Sequence, residues 1–352
     1  MSIKTKQERI WGKHAVIGIT IEMLMAFDRL RRNGFPYYNL SEIEKAKELF
    51  SLVNYGPAPV VTGERGQSEI TQTMHAQDYF WSYHPHAWEV RCGDMLTPME
   101  VFRDDEKLWK VLGKQANHGS VNSFTDSEVR KGLKRVTGAQ GVSGFRPSAA
   151  WAVFDRYCPY KATVYDPSAG WGGRLIGAFM CPKVRKYVCC EPSAKTFAGL
   201  MKMEADLRWT APSRRIEIEP HQRGSEDFRL LSAGSVDLCF TSPPYFSDDG
   251  IIENYADEAT QSHIRFPNYE SWLEGFLGQT IRNCYALLKS GGILALNVSD
   301  DLAEDVTAQA VKNGFVYVET LRLRLSKIPG SKHKPGGPWK SEPVLIFKRK
   351  ES

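Results

Sequence analysis

Two short stretches of this 352-residue sequence combine residue types whose spacing suits chemistry better than packing. One is TSPPY (241–245), directly after the apolar run SVDLCF (235–240). Proline cannot donate to a strand ladder and restricts the residue before it, so a Pro-Pro pair at a strand mouth supplies rigidity. That rigidity points the Pro243 carbonyl outward. Ser242 adds a hydroxyl acceptor, Pro244 braces the turn, and Tyr245 offers a ring for a flat base to stack on. Such a set fits a planar exocyclic amine. An aromatic amine is a poor nucleophile because its lone pair is delocalised into the ring. Two acceptors that draw its hydrogens out of conjugation favour the tetrahedral, partly cationic nitrogen that attacks a methyl group. The proton can leave afterwards to water, without a general base.

The other stretch is DPSAGWGGR (166–174), between the apolar run ATVYD (162–166) and a helical pattern. Glycines at such a turn let the backbone pass close under a ligand at the carboxyl end of a strand. The spacing is not G-x-G-x-x-G and lacks the Lys-Ser/Thr of a phosphate loop, which disfavours dinucleotides and nucleoside triphosphates. Asp166 at the strand end suggests a ligand with a positive charge or an amino group. Glu191 closes the next apolar run, where a carboxylate can accept both hydroxyls of a ribose. Asp227, in GSED (224–227) after a third run, is placed to meet an adenine amino group.

The elements that must hold these residues follow from the periodicity. From Phe145 onward, short apolar runs at 162–166, 186–191, 215–220, 235–240 and 293–298 alternate with helical stretches at 193–207, 268–289 and 301–312. This rhythm predicts an α/β fold with a doubly wound parallel sheet. Two last strands, 315–325 and 342–349, have no helix between them and should form an antiparallel pair at the sheet edge. In that order the strand carrying TSPPY lies beside the strand carrying Asp166, across the switch point. Before the linker candidate GAQGVSG (138–144), helices are expected at 20–33, 40–52 (capped by Ser41), 104–115 and 126–136. Residues 55–80 read as loop. The division is therefore a mainly helical accessory or substrate-recognition region, 1–140, and a catalytic domain, 141–352.

Together these motifs resemble the S-adenosylmethionine-dependent amino-methyltransferases, Ser242-Pro-Pro-Tyr245 being similar to that family's [DNS]-P-P-[YFW] motif. The resemblance covers about Phe145 to Lys350 and implies a Rossmann-like, seven-stranded methyltransferase sheet. It also implies that Asp166, Ser168, Ala169, Gly170 and Gly172, with Thr241 beside them, line the methionine end of the cofactor. Glu191 would hold the ribose, and Asp227 or Glu226 the adenine. Phe145-Arg146-Pro147 resembles the segment that closes over the cofactor's carboxylate. SPPY is more often associated with N4 of cytosine, and DPPY or NPPY with N6 of adenine and with RNA or protein amides. A DPSAG turn beside SPPY looks most like phage or mobile-element DNA methyltransferases. Alternatives are an RNA base or protein amide methyltransferase, or a non-catalytic nucleic-acid-binding module of the same fold.

Bulk properties agree with such an enzyme. At 42% hydrophobic and 25% charged residues the chain is neither membrane-spanning nor disordered in composition. The N-terminus lacks an apolar signal core, and seven scattered cysteines without a CxxC pair suit a reduced, cytoplasmic protein. His84, His86 and Cys92 are more economically read as ordinary histidines and a thiol than as a metal site. The net charge is only +5, but between Arg322 and Lys350 nine basic residues face one acid, Glu342. The basic loop with Lys327, Lys332, Lys334 and Lys340 is expected to touch nucleic-acid phosphates, DNA before RNA. A flipped base would meet aromatics beyond the motif, Phe246, Tyr255, Phe266 and Tyr269, and residues 246–267 are a long polar connection that suits a lid over that pocket.

Overall fold

The computed structural model describes residues 20–351 apart from 64–65, 72, 117–123, 137, 212, 228–230, 247–252, 255–257 and 328–338. The chain divides into two compact units. One comprises residues 1–39, 85–142 and 253–256; the other comprises 40–84, 143–252 and 257–352. This differs from a single cut at residue 140, because residues 40–84 belong with the sheet.

The larger unit is built on one nine-stranded sheet. Its strands are β1 (Val60–Thr62), β2 (Ser68–Ile70), β3 (Ala162–Asp166), β4 (Val184–Cys190), β5 (Glu217–His221), β6 (Val236–Thr241), β7 (Leu288–Asn297), β8 (Phe315–Lys327) and β9 (Trp339–Arg349). They run in the order β1-β2-β8-β9-β7-β6-β3-β4-β5. Strands β5, β4, β3, β6 and β7 are mutually parallel, and β9 enters antiparallel between β7 and β8. The doubly wound order is as expected, but the sheet has nine strands rather than seven. The two additional strands come from the stretch read as loop. They are three residues long, too short for alternation to register. Consequently β8 is not an edge: β2 pairs parallel with it, and Arg324 donates to Glu69 at 2.6 Å across the pair.

Local sequence explains the helices of this unit. Helix α1 (Glu42–Tyr55) starts at a reciprocal capping box, in which Ser41 and Glu44 satisfy each other's backbone N–H. Helix α2 (Pro147–Tyr157) opens on a proline whose missing N–H costs nothing in a first turn. Helices α3 (Gly173–Met180) and α4 (Ala194–Thr210) follow β3 and β4. The helix expected over 268–289 is interrupted: Trp272–Gly278 is a π-turn, and regular α5 (Gln279–Leu287) begins after it. The π-turn carries Trp272 fully into the core, where its indole N–H donates to Ser262 at 3.2 Å. Helix α6 (Ala303–Lys312) precedes β8. Residues 40–84 are tied in by polar contacts: the Tyr79 and Tyr83 phenols both donate to Asp206 of α4, at 2.6 and 2.5 Å. The seven cysteines are all free and buried. Among the described residues, no helix is long and apolar enough to cross a membrane.

The smaller unit is mainly helical: Ile21–Asn33, Asp105–Ala116 and Asp126–Leu133 lie close to the expected spans, and Pro98–Arg103 is a further helix beyond those expected. Met23, Leu30, Phe102, Leu108, Leu112 and Leu133 are among the residues of its core. Phe27 stacks on Trp109 with ring centroids 4.4 Å apart. Glu253–Asn254 pairs antiparallel with Arg91–Cys92 inside this unit.

Candidate functional site

Asp166, Glu191, Glu226–Asp227 and TSPPY all fall at the carboxyl ends of β3, β4, β5 and β6. The strand order reverses between β3 and β6, and such a reversal opens a crevice at this edge. Tyr165 is level with Cys239 in the register, so the two motifs leave the sheet side by side. A hydrogen bond joins them: Ser168 N–H donates to the buried Thr241 hydroxyl at 3.1 Å.

Asp166 corrects one expectation. Rather than waiting for a cationic ligand, it is fully buried and engaged within the protein. Arg174 donates to it through Nε at 2.8 Å and Nη2 at 3.3 Å, Tyr187 Oη at 2.5 Å, and Ser168 N–H at 3.1 Å. Arg174 also reaches the Ser168 carbonyl. The pair thus braces the turn from beneath. Gly170 and Gly172 take positive φ, +55° and +85°, and Gly170 N–H points at Glu191. A Cβ on Gly173 would lie 1.8 Å from the Phe145 carbonyl, so the 145–147 segment seats directly on the start of α3. Ala169 is buried, its N–H donating to the Cys190 carbonyl at 2.9 Å.

Within 145–147, Phe145 stands edge-on to Phe240 at 5.4 Å, and Pro147 is the buried first residue of α2. Arg146 departs from the role of carboxylate clamp. Its two terminal nitrogens donate to the carbonyls of Arg324 and Leu325 at 2.8 and 3.1 Å, anchoring α2 to β8. Burial lowers its pKa, opposed by the nearby Glu342 charge.

Glu191 is the best-prepared ligand group. It is buried, with Oε1 accepting Ser193 N–H at 2.9 Å and Oε2 accepting Gly170 N–H at 3.1 Å. Each oxygen retains a further lone pair, the capacity a diol needs. Burial pushes its carboxyl up to about 7, against the pull of those two N–H groups. Next along the edge, Arg265 bridges Glu226 and Asp227, the latter at 3.2 Å. Asn283 holds the carbonyls of Ser225 and Glu226 at 2.9 and 3.0 Å. Among the described residues, the buried Oε2 of Glu226 has no hydrogen-bond partner, which leaves an acceptor for an amino group. Burial raises this carboxyl too, with Arg265 opposing. Cofactor-sized polar recognition therefore fits the residues present: a diol acceptor, an open carboxylate oxygen and a glycine turn along one edge.

At TSPPY, Pro243 is buried while Ser242, Pro244 and Tyr245 are partly exposed. The Tyr245 hydroxyl lies 3.4 Å from Ser242 Oγ and donates to Glu342 Oε2 at 3.3 Å. Burial and the Glu342 charge keep this phenol protonated. Glu342 is itself half-buried on β9; burial raises its carboxyl, while Tyr245, Asn297 and Arg146 act in the other direction. Sequence reasoning left Glu342 out. Its one signal was that it is the sole acid in a basic stretch.

Phe246 is also corrected: it is 9% exposed and packs on Tyr269 and Trp272, with centroids 6.0 and 5.8 Å away, so it is a core residue and not a nucleic-acid contact. Tyr269 donates to Asp305, and Phe266 packs on Phe276. Tyr255, Lys332 and Lys334 lie outside the described residues; Lys327 is placed on β8 by its backbone, and Lys340 is exposed. Among the described residues, no group of three or more His, Cys, Asp or Glu gathers to hold a metal ion.

With this geometry in hand, comparison with known proteins gives three findings. Residues 236–351, about a third of the chain, match the N6_N4_Mtase family model, described as DNA methylase. No curated protein sequence matches the chain. Similar solved structures include a methyltransferase from Pyrococcus furiosus, 14% identical over 62% of this chain and 92% of that one, with a TM-score of 0.37. A SAM-dependent O-methyltransferase from Thermotoga maritima is 12% identical over 59% and 67%, with a TM-score of 0.37. TYW2 from M. jannaschii, in complex with AdoMet, is 13% identical over 59% and 78%, with a TM-score of 0.35.

Proposed function

We propose that this chain, whose residues 236–351 match the DNA methylase family model, is an S-adenosylmethionine-dependent methyltransferase that acts on an exocyclic amine of a DNA base, N4 of cytosine before N6 of adenine. The observation that carries this reading is the bond from Ser168 N–H to Thr241 Oγ1 at 3.1 Å, which sets the cofactor turn against the amine-holding motif. The cofactor supplies an electrophilic methyl group on a sulfonium. Glu191 is assigned to the ribose hydroxyls and the open Oε2 of Glu226 to the adenine amine. Ser168, Ala169, Gly170 and Gly172 form the turn under the methionine end, which Asp166 and Arg174 stiffen from below.

Ser242 and the Pro243 carbonyl accept the two hydrogens of the target amine. Glu342 adds a directional element. Because the Tyr245 proton is drawn to Glu342, Ser242 can donate its own hydrogen to the Tyr245 oxygen and turn its lone pairs to the amine. As the N–C bond forms and the C–S bond breaks, positive charge grows on nitrogen. Acceptors and a nearby carboxylate stabilise it more than the neutral ground state. One N–H proton then leaves, restoring the conjugated amine. The preference for cytosine rests on serine at the first motif position. The region 1–140 is proposed to supply substrate recognition, since no insertion between the two motifs is large enough to do so, and Lys327, Lys332, Lys334 and Lys340 to meet phosphates.

Incubation with methyl-tritiated S-adenosylmethionine and duplex DNA, followed by digestion to nucleosides, tests this. Label in N4-methylcytosine is expected. Label in N6-methyladenine reassigns the base, and no label in DNA while the cofactor binds overturns the DNA reading.

A further inference from the structure

At the opposite, amino-terminal edge of the same sheet, a depression of about 360 Å³ is lined by Arg185, Arg208, Arg214, Arg215, Ile216 and Glu217. Three separate segments supply its arginines: the start of β4, the last turn of α4, and the approach to β5. Glu217 is occupied by Lys186 at 2.8 Å, and Arg208 by Glu204. Among the described residues Arg185, Arg214 and Arg215 have no carboxylate partner. Arg214 is instead pinned to backbone: Nε and Nη2 donate to the Phe179 carbonyl at 2.8 and 2.6 Å, and Nη2 to that of Cys181 at 2.7 Å. Arg185 donates to the Arg215 carbonyl. Carbonyls fix these guanidiniums in place without neutralising them, and leave further N–H donors unspent. A planar fork already ordered in this way loses little entropy on taking an anion oxygen. Burial lowers the Arg214 pKa, a cost that a bound anion would offset. Trp209, 81% exposed on the same turn of α4 as Arg208, adds a stacking face.

We propose that this depression is a second DNA contact, in which backbone phosphates are held by Arg185, Arg214 and Arg215. The proposal rests on the DNA methylase reading for the identity of the polyanion. Six strand residues at ~3.3 Å each separate Arg185 from Glu191, so the contact lies about 20 Å from the ribose-binding carboxylate. That is the span of about six base pairs, so this contact engages flanking duplex and not the target nucleotide.

The test compares wild type with Arg185→Ala/Arg215→Ala, two exposed side chains whose loss leaves the Arg214 anchors in place. Thermal melting confirms that the variant is folded, and Arg215→Glu alone serves as a second variant. Fluorescence anisotropy measures affinity for 10- and 30-base-pair duplexes, each with a central target, between 50 and 300 mM salt. Each lost phosphate contact lowers the slope of log K against log salt by about 0.9, so the 30-base-pair slope should fall by about 2 in the double variant. The 10-base-pair slope and methyl transfer to that short duplex should stay unchanged. Equal 30-base-pair slopes in both proteins overturn the proposal. So does calorimetric binding of inorganic phosphate that disappears in the variant while the DNA slopes stay equal, because the depression would then serve a free phosphate. Wild type that methylates DNA with slopes unaffected sinks this inference alone; wild type that neither binds nor methylates DNA sinks the methylase reading with it.

Discussion

Glu191 brings a titration near neutrality into the proposed cofactor site. Burial lifts its carboxyl from an ordinary 4.5 to about 7 in the free protein, despite N–H donors from Ser193 and Gly170. At 1.36 kcal/mol per pH unit, ionising it there costs about 3 kcal/mol more than in water. Ribose hydroxyls donate to the charged form, so cofactor binding selects ionised Glu191. At pH 8 that form predominates; at pH 6 it is about one-tenth of the population, and Kd should rise about tenfold. Binding at pH 6 should also release close to one proton, measurable by calorimetry in buffers of different ionisation enthalpy. The cofactor's own α-amino group titrates near pH 8, so the comparison is with Glu191→Gln. This variant should bind more weakly at pH 8 and lack the acid limb below 7. Parallel pH profiles for wild type and variant would refute the reasoning. In the free protein the sign for stability is the reverse of a salt-bridged carboxylate. The fold holds this proton more tightly than the unfolded chain, so the group's contribution is greatest below pH 4.5 and declines as pH rises to about 7.

Three further outcomes follow from individual contacts. Arg174→Met leaves the buried Asp166 carboxyl without its ion-pair partner, and thermal or denaturant unfolding should show a loss of about 3–5 kcal/mol. Thr241→Val removes one of the two acceptors of Ser168 N–H and leaves Asp166 as the other; a loss of roughly 0.5–1.5 kcal/mol in unfolding is expected, with weaker cofactor binding by calorimetry. Tyr245→Phe and Glu342→Gln interrupt the same chain of hydroxyls, so each should reduce kcat by about tenfold or more with cofactor Kd unchanged, and the double variant should lose little beyond either single one.

Periodicity and punctuation in the sequence determined the alternating elements, the sheet class, the Ser41 cap and the placement of both motifs at strand ends. These are local signals, set by side-chain period and by what glycine and proline allow. They could not reveal partners distant in the chain. Asp166 reads as a ligand until Arg174 and Tyr187 are seen to enclose it. Arg146 reads as a clamp until its donors are found on carbonyls 178 and 179 residues away. Glu342, 97 residues beyond Tyr245, enters the site only because β9 lies next to β7, itself the neighbour of β6. The short β1–β2 pair joins the sheet because β8 offers it an open edge, a fact no three-residue run contains. TSPPY was legible as chemistry; what fixes the orientation of its hydroxyls was decided by strand order, because a carboxylate's effect depends on where the fold buries it.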